Sequence, residues 1–224
     1  RLTLFPYTTL FRSIMMEKFA RNDFSSDWGV RMVGKSYPKF NPRSYHFGSI
    51  WPLFTGWTSL AEYATERSIQ GFTRIMDNLM NYKSFALGRV SEVLHGERYE
   101  QSGVTQFQCW SETMVIQPIV EGMLGFNPDA LDNRFELNLS IPFNWDTLSV
   151  NNLKIKDNLI SLEMDKSEDR VIYKFEARKQ VGLNFNPEIP LNTQVNSVVA
   201  NGEKIDFRLI KNKESWRIEI QPLE

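Results

Sequence analysis

"FNPDALDNRFELNLSI", residues 126–141, is where the chain changes its period. Upstream of it, apolar residues recur at the spacing of one helix face. From Asp132 onward they alternate. Phe135, Leu137, Leu139 and Ile141 fall on one side of an extended strand, with Glu136, Asn138 and Ser140 on the other. One regular element cannot carry both periods. The boundary is therefore placed at "FNPDALDN", and the chain is read as α+β in two parts, helical over 14–131 and β over 132–224.

The alternation continues downstream. "LISLEM" aligns Ile160, Leu162 and Met164, and "VIYKFEA" aligns Val171, Tyr173, Phe175 and Ala177. "KIDFRLI" and "SWRIEI" supply two more strands. Asp157-Asn158 and Asn201-Gly202 stand where hairpin turns belong, and Asn-Gly favours the type I′ turn. The pattern predicts an antiparallel β-sandwich of about seven strands.

Upstream, Leu53, Trp57, Leu60 and Ala64 share one helix face, and Ile69, Phe72, Met76 and Leu79 another. A third helix is predicted from Thr105 to Leu124, burying Trp110, Met114, Ile116, Ile119 and Met123. Pro118 should kink it, and Gly125 should end it. Between the second and third helices lies "ALGRVSEVLHGERYEQSG", a long polar loop of the kind that carries function.

The first residues stand apart. Thr3–Ser13, "TLFPYTTLFRS", resembles the translation of a short-read sequencing adapter along its whole length. Residues 1–13 are accordingly read as a non-native artefact and set aside. On that reading the native sequence begins near Ile14 and belongs to a truncated gene.

Composition narrows the function. A 42% hydrophobic and 24% charged chain is ordinary for a globular protein. A net charge of −1 gives no electrostatic footprint for nucleic acid or an anionic membrane. No run approaches the roughly 18 apolar residues of a membrane span. The single cysteine, Cys109, permits no internal disulfide, and no Cys/His cluster has metal-ligand spacing. Nothing calls for a cofactor. Six tryptophans stand out; aromatic rings fill cores, and they also stack on the C–H faces of sugars.

Three stretches can carry chemistry: "SSDWGVRM" (25–32), "YHFGSIWP" (45–52), and "SEVLHGE" (91–97) followed by "QFQCWS" (106–111). Singly, each has a structural explanation. Trp28 and Arg31 suit a loop anchor and a solvated charge, His46 a hydrogen-bonded structural histidine, Trp51-Pro52 a helix start, Glu92 a solvated loop carboxylate, and Trp110 a core residue.

In combination they resemble the C-terminal part of the (α/α)6-barrel glycoside hydrolases, the glucoamylase and glycogen debranching group. Tyr45, His46, Gly48, Ser49, Trp51 and Pro52 resemble the run that leads into one barrel helix. Ser91-Glu92 resembles the following loop, Gly103 its spacer, and Trp110-Ser111, flanked upstream by Gln106 and Gln108, the opening of the next helix. "GMLGFNPDA" and "PFNW" resemble the passage into an accessory β-sandwich. The likeness spans residues 27–150.

This resemblance implies the last helices of a partial (α/α)6 barrel followed by a β-sandwich domain. It implies an inverting enzyme acting on α-linked glucosides, with an oligosaccharide or polysaccharide as substrate. Glu92 would be the general base, and Tyr45, His46, Trp51, Trp110, Trp28 and Arg31 would contact sugar. The general acid lies upstream in this group, and Glu17, Asp23 and Asp27 have no suitable context. The chain is therefore expected to be inactive alone, to need a missing N-terminal part of the same chain, and to expose apolar helix faces. A rhamnosidase-like or phosphorylase-like relative is the enzymatic rival. The non-enzymatic rival is a carbohydrate-binding or interaction module.

Overall fold

The structure is a computed structural model describing residues 6–103 and 105–220, with side chains from Phe11 onward. Expectations for residues 1–5 and 221–224 lie outside the described residues. Two compact units appear, one ending at Met123 and the other starting at Leu124. "FNPDALDN" lies within the second.

In the first unit, α1 (Pro6–Phe19) takes in residues 6–13 of the adapter-like run. The short strands β1 (Ser25–Ser26) and β2 (Gly29–Val30) form a two-residue ladder. Three more helices follow: α2 (Pro52–Ala64), α3 (Ser68–Ser84) and α4 (Cys109–Gln117). Pro52 opens α2 behind an extended Trp51, a position where the missing proline N–H costs nothing. Pro118 interrupts the ladder as expected: α4 passes there into a π-helical turn, Pro118–Met123. Gly125, at φ +59°, ends the helical run. The described helices form no closed barrel, and none is long and apolar enough to cross a membrane.

Apolar helix faces are partly exposed, as expected, with Leu53, Leu60, Phe72 and Leu79 half-buried. Trp57, Ile69 and Met76 are 49%, 57% and 41% exposed, while α2 buries Thr55, Gly56, Ser59 and Glu62. Helix α3 buries Arg74, Asp77, Asn78 and Asn81 beside Ile75. On α4, Trp110 and Ile116 are exposed rather than buried; Met114, and Met123 in the π-helical turn, are buried as expected, and Ile119 is half-buried. The cause is close backbone approach. A Cβ on Gly56 would lie 2.4 Å from Met114 Cβ, and one on Gly71 2.7 Å from the Tyr63 ring. At those two positions no side chain fits, and nearby polar groups bond across the seam. Ser59 Oγ donates to the Gly71 carbonyl (2.7 Å), and Asn78 Nδ2 donates to the carbonyls of Pro52 (2.9 Å) and Met114 (3.2 Å).

The second unit holds β3 (Phe126–Asp129), β4 (Arg134–Leu137), β5 (Thr147–Ile155), β6 (Asn158–Lys166), β7 (Val171–Ala177), β8 (Gly182–Phe185), β9 (Glu188–Pro190), β10 (Val198–Ala200), β11 (Glu203–Ile205), β12 (Phe207–Lys211) and β13 (Ser215–Ile220). They form four small sheets, ordered β3-β4-β8, β5-β6-β7, β12-β13-β9 and β10-β11. Pairing is antiparallel except between β4 and β8, a parallel pair that alternation does not announce. The predicted inward faces hold where strands are central: Phe135, Leu137, Leu139, Ile160, Leu162 and Met164 are all buried. Strand β7 pairs only with β6 in its sheet, and Val171 and Ala177 stay exposed while the Tyr173 and Phe175 rings meet Phe185. Asn201 and Gly202, both at positive φ, make the expected hairpin turn. The other turn falls on Lys156-Asp157, because Asn158 pairs with Ile155.

Met76→Glu and Ile69→Lys should leave urea-unfolding stability within about 0.5 kcal/mol and reduce self-association in light scattering. Ile75→Ala, on the buried side of the same helix at 2% exposure, should cost about 2–5 kcal/mol.

Candidate functional site

The structure brings the chemistry-bearing stretches together through their backbones. Arg31 bridges to Ile50, Ile50 to Leu94, and Leu94 to Gln101, each antiparallel. Ile50 and Leu94 exchange two hydrogen bonds of 2.9 and 2.8 Å, and both are fully buried. The loop is tied elsewhere too: Glu92 N–H donates to the Thr105 carbonyl, and Gln108 N–H to the Val90 carbonyl. Gly96 is required for its approach, since a Cβ there would lie 2.1 Å from the Gly48 carbonyl oxygen.

At the centre is Glu92, 6% exposed. Tyr45 Oη donates to its Oε1 at 2.7 Å, and Gln108 Nε2 donates to the same oxygen at 3.3 Å. Oε2 receives no hydrogen bond from the described residues. A carboxylate suits this arrangement because, ionised, it only accepts. The bond to Glu92, with burial and the negative charge reinforcing it, pushes the Tyr45 phenol up to about 12. Tyr45 is thus a neutral donor at physiological pH.

The other predicted residues divide by location. Tyr45 is half-buried and His46 exposed. The His46 ring meets Tyr45 edge-on at 4.8 Å and lies nearly parallel to Trp51, at 6.4 Å and 17°. Trp51 is buried, and its indole N–H donates to the Tyr45 carbonyl (3.0 Å) and Ser49 Oγ (3.2 Å). It serves as a brace beneath Tyr45. Trp28 and Arg31 anchor the loop rather than reaching Glu92. Trp28 Nε1 donates to the His95 carbonyl at 3.1 Å, and Arg31 Nε to the Gly96 carbonyl at 2.6 Å. Arg31 is 4% exposed and also donates to the Asn22 and Ser25 carbonyls. Burial holds its pKa below the ordinary arginine value, against the pull of Glu97 and Asp23. Trp110 lies exposed in the first turn of α4, just beyond Gln108.

Two participants were not singled out for these roles. Gln108 was seen only as a flank of the Trp110 motif; its position beside Val90 in the fold gives it the contact with Glu92. His95, 4% exposed, orders the turn that follows Glu92. The spacing His95-Gly96-Glu97-Arg98 is a signal that could have found it, since a side-chain acceptor two and three residues before free N–H groups makes a turn. Among the described residues, no group of three His, Cys, Asp or Glu could hold a metal ion.

No protein-family model matches the chain, and no curated protein matches it. Among solved structures, it is similar to one described as "Putative kojibiose phosphorylase from human microbiome", at 14% identity and a TM-score of 0.39. That match takes in 97% of this chain and 25% of the other, so the chain spans a quarter of its neighbour's length. A likeness at that score does not bear on the chemistry, which rests on the geometry around Glu92.

In Glu92→Ala the Tyr45 phenol should titrate well below about 12, toward its ordinary value of 10.0. Ultraviolet titration, with Tyr45→Phe identifying the step, measures this; an unmoved Tyr45 step would separate the two side chains.

Proposed function

We propose that Glu92 is the general base of an inverting glycoside hydrolase acting on α-linked glucosides. The observation that carries this reading is the one-sided clamp on its carboxylate. Tyr45 and Gln108 both engage Oε1, leaving Oε2 as the oxygen that can take a proton from an attacking water. General-base catalysis needs a fixed carboxylate within hydrogen-bond reach of that proton. Inversion needs a second carboxylic acid across the sugar, roughly 6.5–9.5 Å away.

The acid, on this reading, comes from a part of the protein outside these 224 residues, and the helical unit is the closing segment of an (α/α)6 barrel. The upstream carboxylates fit this. Asp23 is taken up by the Ser36 backbone N–H (2.8 Å) and hydroxyl (2.9 Å), while Glu17 and Asp27 are exposed. Tyr45 and His46, at the accessible edge of the site, are the proposed sugar contacts. Trp51, Trp28 and Arg31 act one step back, by bracing Tyr45 and the loop. Trp110 offers an open ring face for a sugar farther along an oligosaccharide or polysaccharide chain.

In a protein carrying the whole catalytic domain, Glu92→Gln should lower turnover of α-glucosides by about 10²–10⁴-fold and leave sugar affinity largely intact. The 224-residue chain alone should show no turnover. Near-normal turnover in Glu92→Gln would remove Glu92 from the mechanism.

A further inference from the structure

His95 is a buried titratable group that the proposed chemistry does not use. Its Nδ1 accepts two backbone hydrogen bonds, from Glu97 N–H at 3.1 Å and Arg98 N–H at 3.2 Å. The His95 backbone N–H donates to the Glu100 carbonyl, and the His95 carbonyl accepts from Trp28 Nε1. The imidazole thus closes the turn over residues 95–100, the turn that Trp28 and Arg31 fasten down. An imidazole that accepts at Nδ1 carries its proton on Nε2. Adding a second proton puts an N–H at Nδ1, facing two other N–H groups, and both hydrogen bonds are lost.

We propose that His95 is an acid-released latch on the loop that presents Glu92: neutral, it holds the turn closed; protonated, it lets the turn open. The surroundings favour the neutral state. Burial is the largest influence holding the His95 pKa below 6.5, joined by Arg98 and Arg43, with Glu100 and Glu97 pulling the other way. Glu100 Oε1 lies 4.0 Å from Nε2, and Arg98 engages that same oxygen at 2.7 Å. Across the loop stands Arg31, on the Gly96 carbonyl. A histidine whose folded pKa is depressed contributes stability above its unfolded value of 6.5 and loses it as pH falls through the folded value. The latch therefore opens on the acid side. That it regulates catalysis rests on the reading of Glu92; the latch itself rests on the turn alone.

The chain contains two histidines, and His46 is exposed, so long-range ¹⁵N–¹H NMR resolves both rings. At neutral pH His95 should be the Nε2–H tautomer. As it titrates, amide exchange at Glu97 and Arg98 should speed by about tenfold or more, and the Trp28 indole signal should shift with it. His95→Asn supplies the control. Its Oδ1 occupies the position of Nδ1 and accepts the same N–H groups without titrating, so the closed turn should persist into acid. His95→Phe should show the open turn at every pH. An Nδ1–H tautomer, a His95 titration that leaves the Glu97 and Arg98 amides unmoved, or an acid transition retained in His95→Asn would each overturn the latch. Glu92→Gln separates the two proposals: it should leave the His95 titration in place whether or not turnover survives.

Discussion

Two backbone hydrogen bonds between Ile50 and Leu94 hold the loop that carries Glu92 in register. Neither residue belongs to a regular strand. Both are sealed from solvent, where leaving such a donor or acceptor unpaired costs about 1–3 kcal/mol. That penalty makes the pairing obligatory, and the rest follows from chain connectivity. Tyr45 and Ser49 lie just before Ile50, Glu92 just before Leu94, and the His95–Gly96 turn just after. A slip of one residue would turn Glu92 away from Tyr45, because neighbouring side chains in extended backbone point to opposite faces.

The helices obey a different constraint. Their backbones approach closely at Gly56 and Gly71, so the buried seam holds small and polar groups beside Ile75 and Met114, and other bulky apolar residues are left outside. The buried charges are paired within the seam. Glu62 Oε2 meets Arg67 Nε at 2.5 Å, and Asp77 Oδ2 meets Arg74 Nη1 at 2.7 Å. Burial outweighs Arg74 and raises the Asp77 pKa to about 6. Buried pairs of this kind contribute little net stability, but losing one partner strands a charge. The Arg67–Glu62 pair ties the turn before α3 to α2, while Arg74–Asp77 lies within α3.

The β unit was the more legible half. Period-two runs at Phe135–Leu139 and Ile160–Met164 gave the right buried faces, and Asn201-Gly202 gave the right turn. Strands β5, β8 and β9 are not among the runs read from the sequence, because β5 is largely polar and β8 and β9 are short, with Pro187 between them. "KIDFRLI" divides at Asp206 into β11 and β12. In the helices, periodicity found the elements, and apolar faces are exposed as expected; it misplaced Trp110 and Ile116, which lie exposed rather than buried. At the candidate site, motif order picked out stretches that do meet. It could not separate the side chains touching Glu92 from those bracing the loop, because that distinction depends on contacts between residues far apart in sequence. Gln108 is hidden for the same reason, whereas the turn that His95 closes is local, its Nδ1 accepting from Glu97 and Arg98 two and three residues on.

That distance in sequence also bears on how the molecule comes into being. Tyr45 reaches across 47 residues to Glu92, Arg31 across 65 to Gly96, and Trp28 across 67 to His95. Helices α2 and α3 lie inside those intervals and are built from local contacts. Closing long loops is entropically slow, and contacts of large sequence separation form late. The helical hairpin is thus an early product of folding, and the site a late one. On a ribosome, Trp28 and Arg31 emerge and wait for the His95–Gly96 turn to follow them out before either finds its partner.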